Sequence, residues 1–407
     1  MAISSSHRPK LRTLDIRPHT QDGERFWLLR DTLQVSEQML LVLEPLGPAL
    51  ALCDGGWTLP EIEAQLAQQY RLRFQNGTVR GLVQALDDAL FLENDRFHQA
   101  RARALTDYRQ APFRTPALAG QSYPADPREL QAVLEGLLAE AGDIPPAPEA
   151  RGLLSPHIDY PRGGAVYAKV WKRAAAAVQA AELVVLIGTD HYSDTPASLT
   201  LTRQHYATPW GVLPTDTALV DALADAIGPA AAFAGELRHR GEHALELVAV
   251  WLHHLRAGRP VPLLPILVGS FGRLVEQGAS PLTDPAVTLF IETLQTLTAG
   301  RRVLWVASGD LAHVGPAFSG APLEAPARAA LRAADETVIQ RLCAGDAEGF
   351  YRAIQRVGDE NNVCGLAPAY LTLKALGAAE GECLAYQACP ADEADTSAVT
   401  VCGVVWE

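Results

Sequence analysis

Residues 301–313 read RRVLWVASGDLAH, and five consecutive apolar residues, Val303 to Ala307, lead straight into Ser308, Gly309, Asp310 and His313. An apolar run of that length fits a strand covered on both faces, and in open α/β sheets ligands sit just past the carboxyl ends of such strands. The same design occurs twice more. LVVLIG (183–188) leads into Thr189, Asp190 and His191, and GLLS (152–155) leads into Pro156, His157, Ile158 and Asp159. Three strand ends each deliver a histidine, so a site is expected where they converge.

Working outward, helix and strand patterns alternate through the last two thirds of the chain. Helical periodicity covers 130–141, 165–179, 217–227, 244–255, 285–297, 328–342 and 367–376, and strand-like runs cover 198–202, 262–269 and 398–406. This alternation predicts an α/β layered sandwich with a mainly parallel central sheet over 117–407. Residues 96–116, polar and Arg-rich and then broken by Pro112 and Pro116, are expected as a linker. Residues 1–95 form a separate module. Within it, Thr58 and Glu61 make a capping box ahead of a helix with Leu59, Ile62 and Leu66 on one face. A second helix, capped by Asn76 or Thr78, carries Val79, Leu82, Val83 and Leu86. A strand over 26–29, a helix over 34–43 and a strand starting at Phe91–Leu92 complete the expectation, a small winged-helix-like α+β domain.

Composition narrows the function classes. The 407 residues are 48% hydrophobic and carry a net charge of −13, which disfavours general affinity for nucleic acid or anionic membranes. No apolar segment resembling a signal peptide opens the chain and no run of about 18 uncharged apolar residues follows, so a cytoplasmic protein is expected. The six cysteines include no C-x-x-C pair, and no disulfide framework is expected. Cys53, Cys343, Cys383 and Cys402 suit ordinary packing.

Cys364 is different because NNVCGLAP places it just before the helix over 367–376, where a thiolate is favoured. His157 and His191 with Cys364 make a donor set for a borderline or soft divalent ion. GEHALE (241–246) adds Glu242 and His243. Glu242 suits a helix first turn, and either it or Asp310 suits an acceptor that fixes an imidazole tautomer, with His243 or His313 a proton shuttle. Asp159 and Asp190, next to two of the expected ligands, are candidates to join the coordination or to hold the imidazoles. Of the remaining histidines, His7, His19 and His98 suit solvent, His253 and His254 suit a helix C-terminus, and His205 and His239 carry no signal.

Together these pieces resemble the MEMO family, the B component of the AmmeMemoRadiSam system, over 117–405. The matching segments include AGQSYPADPREL, SPHIDYPRGGAVYAKVW, IGTDHY, GEHALEL, ASGDLAH and NNVCGLAP, in order and at family spacing. The resemblance implies a fold like class III extradiol dioxygenases, with His157, His191 and Cys364 as metal ligands and Asp310 and His313 beside them. It implies a non-haem metal enzyme, with Fe(II) first and Cu, Zn or Mn as alternatives, acting on a peptide or small aromatic substrate. Glu242, His243, Asp310 and His313 are then the catalytic candidates. The family context adds a radical-SAM enzyme as partner. A non-catalytic phosphopeptide- or metal-binding protein is the second reading, and a cysteine hydrolase using Cys364 the third. The segment DGGWTLPEIEAQLAQQY with VRGLVQALDDALFLEN resembles PqqD-like domains, which implies recognition of a peptide added to a sheet edge.

Overall fold

In the N-terminal part of the computed structural model, which describes Ser4 and residues 6–407, the sheet comes before the helices. Strands β1 (Asp15–Gln21), β2 (Glu24–Arg30) and β3 (Met39–Leu43) pair antiparallel in the order β1-β2-β3. Asp22 and Gly23, at φ 52° and 79°, make the tight turn between the first two, as the left-handed pair of a two-residue hairpin requires. Helices Leu59–Gln69, Thr78–Asp88 and Asp95–Gln110 follow. Leu29 and Val42 from the sheet pack on Ile62, Leu66, Val83 and Leu86 from the helices.

Four expectations for this unit need correction. Residues 34–43 are not a helix: Gln34 takes a left-handed φ of 55°, and Leu40 and Val42 face inward while Met39, Leu41 and Leu43 face out, a period of two. Residues 91–92 form only an isolated bridge, Leu92 to Leu11. The second helix is preceded by Gly77 at φ 90° with no side-chain cap, so neither Asn76 nor Thr78 caps it. Most of the stretch expected as a linker is the helix Asp95–Gln110, whose Ala, Arg and Gln residues are good helix formers and whose Phe97 and Tyr108 are buried. The unit boundary falls after it, separating Met1–Gln110 from Ala111–Glu407. The capping box is present, with the Thr58 amide and hydroxyl donating to the Glu61 carboxylate at 2.7 and 2.8 Å.

The second unit is built on one mixed sheet. Its strands are β4 (Gly152–Ser155), β5 (Leu183–Thr189), β6 (Leu199–Leu201), β9 (Leu263–Val268), β10 (Val303–Ser308), β11 (His313–Val314), β12 (Gly381–Pro390) and β13 (Ala398–Trp406). Strands β7 (Tyr206–Thr208) and β8 (Gly211–Leu213) make a separate hairpin. The order is β11-β13-β4-β10-β5-β9-β6, with β12 on β13. Only β4, β10, β5 and β9 run parallel; β13, β6, β11 and β12 pair antiparallel, so the mainly parallel expectation holds for the middle of the sheet alone. The parallel strands are buried on both faces. Val185, Ile187, Ile266 and Ala307 meet the helices Thr217–Ile227, Pro285–Thr298 and Leu366–Leu376, while Val184, Leu186 and Val306 meet Tyr167, Trp171 and Trp251. The helix expected over 165–179 is two, Tyr160–Arg173 and Ala175–Ala180, the first capped by Asp159 with Pro161 in its opening turn. Among the described residues no helix is long and apolar enough to cross a membrane.

Candidate metal centre

Because β10 lies between β4 and β5, the carboxyl ends of the three strands are neighbours, and the residues that follow them meet in space. His157 follows β4, His191 follows β5, and Asp310 follows β10. The loop before helix Leu366–Leu376 brings in Cys364. Three bonds dock it: Gly365 N–H donates to the Asp310 carbonyl at 2.8 Å, the Thr189 hydroxyl to the Cys364 carbonyl at 2.8 Å, and Asp310 N–H to the Cys364 sulfur at 3.4 Å. The approach is close enough to need two glycines. A Cβ on Gly309 would stand 2.3 Å from the Cα of Gly365, backbone against backbone. Gly309→Ala is therefore expected to cost about 1–3 kcal/mol as overpacking and to push the Cys364 loop off the strand end. Thermal denaturation together with metal titration checks both effects.

One donor atom from each of His157, His191 and Cys364 lies within 4.8 Å of the others, and the Cys364 sulfur is 3.2 Å from His157 Nε2. The set fits a divalent ion. Ser308 donates its hydroxyl hydrogen to the Ala244 carbonyl, so its oxygen accepts from His157 Nδ1 at 3.5 Å, leaving the Nε2 lone pair for the sulfur side. Glu242 performs the same office for two more imidazoles. Its Oε1 is 3.0 Å from Nδ1 of both His191 and His243, and a carboxylate only accepts, so both rings carry the proton on Nδ1. Glu242 also caps the helix His243–Leu255 through Ala244 N–H and accepts from His191 N–H at 3.0 Å. The three imidazoles cluster at ring separations of 4.5 to 5.0 Å.

Asp310 acts mainly on the backbone. Its Oδ1 accepts from His157 N–H at 2.8 Å, and its Oδ2 stands 3.9 Å from His157 Nε2. Asp310, His313 and Cys364 form a second close group. His313 Nδ1 donates to the carbonyls of Leu311 and Asn362 at 3.3 and 3.2 Å, so its Nε2 holds the free lone pair. The site thus gathers all seven residues expected from sequence: His157, His191, Cys364, Glu242, His243, Asp310 and His313.

Two neighbours expected as possible ligands are elsewhere engaged. Asp159 caps its helix and pairs with Arg162, and Asp190 makes a buried pair with Arg238 at 2.6 Å. Neither bonds an imidazole. Sequence reasoning missed Arg238, and it missed Arg114, whose buried guanidinium donates to the Glu242 carbonyl at 3.0 Å and to Glu246 at 2.6 Å. No spacing rule links residues 128 and 132 positions apart.

Burial sets the electrostatics, and neighbouring charges modify it. Burial, helped by His191 and His243, holds His157 well below the usual imidazole range. Burial acts the same way on His191, but Glu242 outweighs it and holds that ring well above the range. Burial would raise Glu242, yet the two imidazoles hold it well below the carboxylate range. The Cys364 thiol is pushed up by burial against the opposing pull of His191, so the helix N-terminus does not by itself produce the expected thiolate. A cation at the donor atoms is what would favour it.

Glu242→Gln tests the orienting role. Oε1 serves both imidazoles and Oε2 the His191 main-chain N–H, so the amide nitrogen of Gln would face either the two Nδ1 protons or that N–H, and the bonds at that position would be lost. Loss of such an orienting partner is expected to weaken metal binding by roughly 10- to 100-fold, measured by competition with a chromophoric chelator.

The strand ends of a mixed sheet thus bring together a His–His–Cys group that could hold a metal ion, with a carboxylate behind two imidazoles. Residues 114–405 match the family model described as Memo-like protein, and the chain belongs to that family. A MEMO1 family protein of Thermus thermophilus is 31% identical over 302 residues, covering 72% of this chain and 82% of that one. One from Methanopyrus kandleri is 28% identical over 285 residues, 67% of this chain and 91% of its own. The match to a MEMO1 family protein of Aquifex aeolicus, 25% identical over 390 residues, covers 93% of this chain and 94% of the relative, so it extends into the N-terminal unit.

Proposed function

We propose that the protein is a non-haem iron(II) oxidoreductase, related to the extradiol dioxygenases, that acts on a peptide or small aromatic substrate. The observation that carries this reading is the convergence of His157, His191 and Cys364, with one donor atom from each within 4.8 Å. Iron held there would supply Lewis acidity and a binding position for dioxygen. The chain's own groups do the rest. Glu242 keeps the Nδ1 protons of His191 and His243 in place. His313, with Nδ1 committed to two carbonyls, presents Nε2 as the group able to take a proton from a substrate hydroxyl. Asp310 fixes the main chain of His157.

The N-terminal unit fits delivery of a peptide. Among the described residues β3 has a hydrogen-bonded neighbour on one side only, and Met39, Leu41 and Leu43 are exposed along it, which suits addition of an extended strand as in PqqD-like domains. A radical-SAM enzyme is the partner that this reading supplies.

The test is the metal content of protein purified without oxygen, followed by oxygen uptake with catechols and with peptides. Iron at about one per chain with substrate-dependent uptake would support the reading. Metal without uptake would favour a binding protein, and no metal after reconstitution would overturn the centre altogether.

A further inference from the structure

Beside the site a file of aromatic rings runs through the second unit. Tyr167 donates its hydroxyl to the carbonyl of Ile158, one residue past His157, at 3.0 Å. Its ring lies 5.2 Å from Tyr160 and 5.8 Å from Trp251, the latter stacked at 10°. Tyr160 continues to Tyr123 at 5.9 Å, and Trp251 to His254 at 6.3 Å and from there to Trp210 at 5.4 Å. Tyr123, Tyr160, Tyr167 and Trp251 are buried, while Trp210 is partly exposed. Close-packed aromatic rings are ordinary core material. What sets this file apart is how its polar hydrogens are placed.

Trp251 Nε1 is buried with no hydrogen-bond partner. An oxidised indole there has no base to take its proton, so it can pass the electron vacancy on but cannot trap it. The hydroxyls of Tyr167 and Tyr160 donate to carbonyls, of Ile158 and of Leu247 at 2.7 Å, which do not accept a proton outright. Tyr123 is different. Its hydroxyl donates to Glu246 Oε1 at 2.6 Å, a carboxylate that can take the proton as the electron leaves.

We propose that these rings form an electron conduit joining the metal site to the surface at Trp210, with Tyr123 as its proton-coupled terminus. The proposal rests on the iron reading for its source of oxidant. Hydrogen peroxide reduced at the site to two waters takes two electrons and two solvent protons. Iron(II) held by His157, His191 and Cys364 would supply one electron, and Tyr123 would supply the other through Tyr160 and Tyr167, its proton moving to Glu246 to leave a neutral tyrosyl radical. Trp251 and the His254 bridge connect the same file to reductants in solution at Trp210. Without it, oxidising equivalents would fall on the nearest soft donor, Cys364.

The test has two arms on the full chain. In the first, metal-free protein is photo-oxidised with a ruthenium polypyridyl complex and persulfate and frozen for electron paramagnetic resonance. A persistent tyrosyl signal, protected by burial from dimerisation, is expected in wild type and lost in Tyr123→Phe and in Trp251→Phe. Tyr160→Phe, which keeps the ring volume, guards against misfolding and should also lose it. In the second arm, iron-loaded protein is mixed with hydrogen peroxide. The same radical is expected, and Tyr167→Phe should replace it with oxidation of Cys364 found by peptide mass mapping. A first-arm signal absent from wild type, or indifferent to Trp251→Phe and Tyr123→Phe, overturns the conduit. A first-arm signal without a second supports the conduit and overturns iron as its source.

Discussion

Cys364→Ala is expected to lower metal affinity by more than about 100-fold, beyond the loss typical for an orienting partner, and to leave the purified protein nearly metal-free. His157→Ala should do the same. The reason is the number of donors. His157, His191 and Cys364 supply three atoms to one point, and removing any of them leaves a pair that competes poorly with cellular chelators. The two variants should differ in their second effect. Cys364 stands in a half-buried loop docked by the Gly365 amide and the Thr189 hydroxyl, neither of which needs the sulfur, and by the weaker bond from Asp310 N–H to the sulfur, so the metal-free melting temperature should fall only slightly. His157 is buried and its Nδ1 is paired with Ser308, so its removal should cost stability as well. Elemental analysis with calorimetry of the metal-free forms separates the two roles. Metal content unchanged in both variants would remove these residues from the centre.

Glu246→Ala is expected to be the most destabilising single change, by about 3–5 kcal/mol, because it strands a buried cation. Glu246 is 1% exposed and accepts from Arg114 Nη1 at 2.6 Å, from the amides of Ala117 and Leu118 at 2.8 Å each, and from Tyr123 at 2.6 Å. Each of those donors would lose its bond to Glu246, and the Arg114 guanidinium and the Tyr123 hydroxyl are buried. The shift in melting temperature should be on the order of 10 °C for a unit of this size. Arg114 also donates to the Glu242 carbonyl, so the same variant should loosen the turn that aims His191 and His243. Chemical denaturation of Glu246→Ala, Arg114→Ala and the double variant gives the coupling. A double variant as unstable as either single one would show that the two residues act as a unit.

The site was more legible in the sequence than the sheet that carries it. An apolar run that stops at Ser308, Ile187–Gly188 or Ser155 and is followed at once by polar residues marks a strand end, and three such ends in parallel strands must lie together. That logic needs only local patterns. β12 escaped it because a bulge between Cys383 and Ala385 breaks its alternation and because most of its residues are half-buried. The pattern of β3 reads as helix because MLLVL is short and wholly apolar, which periodicity alone does not resolve. Arg114 and Arg238 escaped because their partners lie far along the chain. The acids beside His157 and His191 invited a metal role that Arg162 and Arg238 had already claimed.

The distance between the donors in sequence has a consequence for how the protein is made. His157 and Cys364 are 207 residues apart, and β13, the last strand, pairs with β4, the first of its sheet. A growing chain on the ribosome therefore exposes His157 and His191 long before the sulfur arrives, and two imidazoles in an unfinished sheet are a weak trap for metal. A complete donor set therefore has to wait until Cys364 has joined the sheet. A chain stopped anywhere between His191 and Cys364 would carry both imidazoles of the group and none of its sulfur.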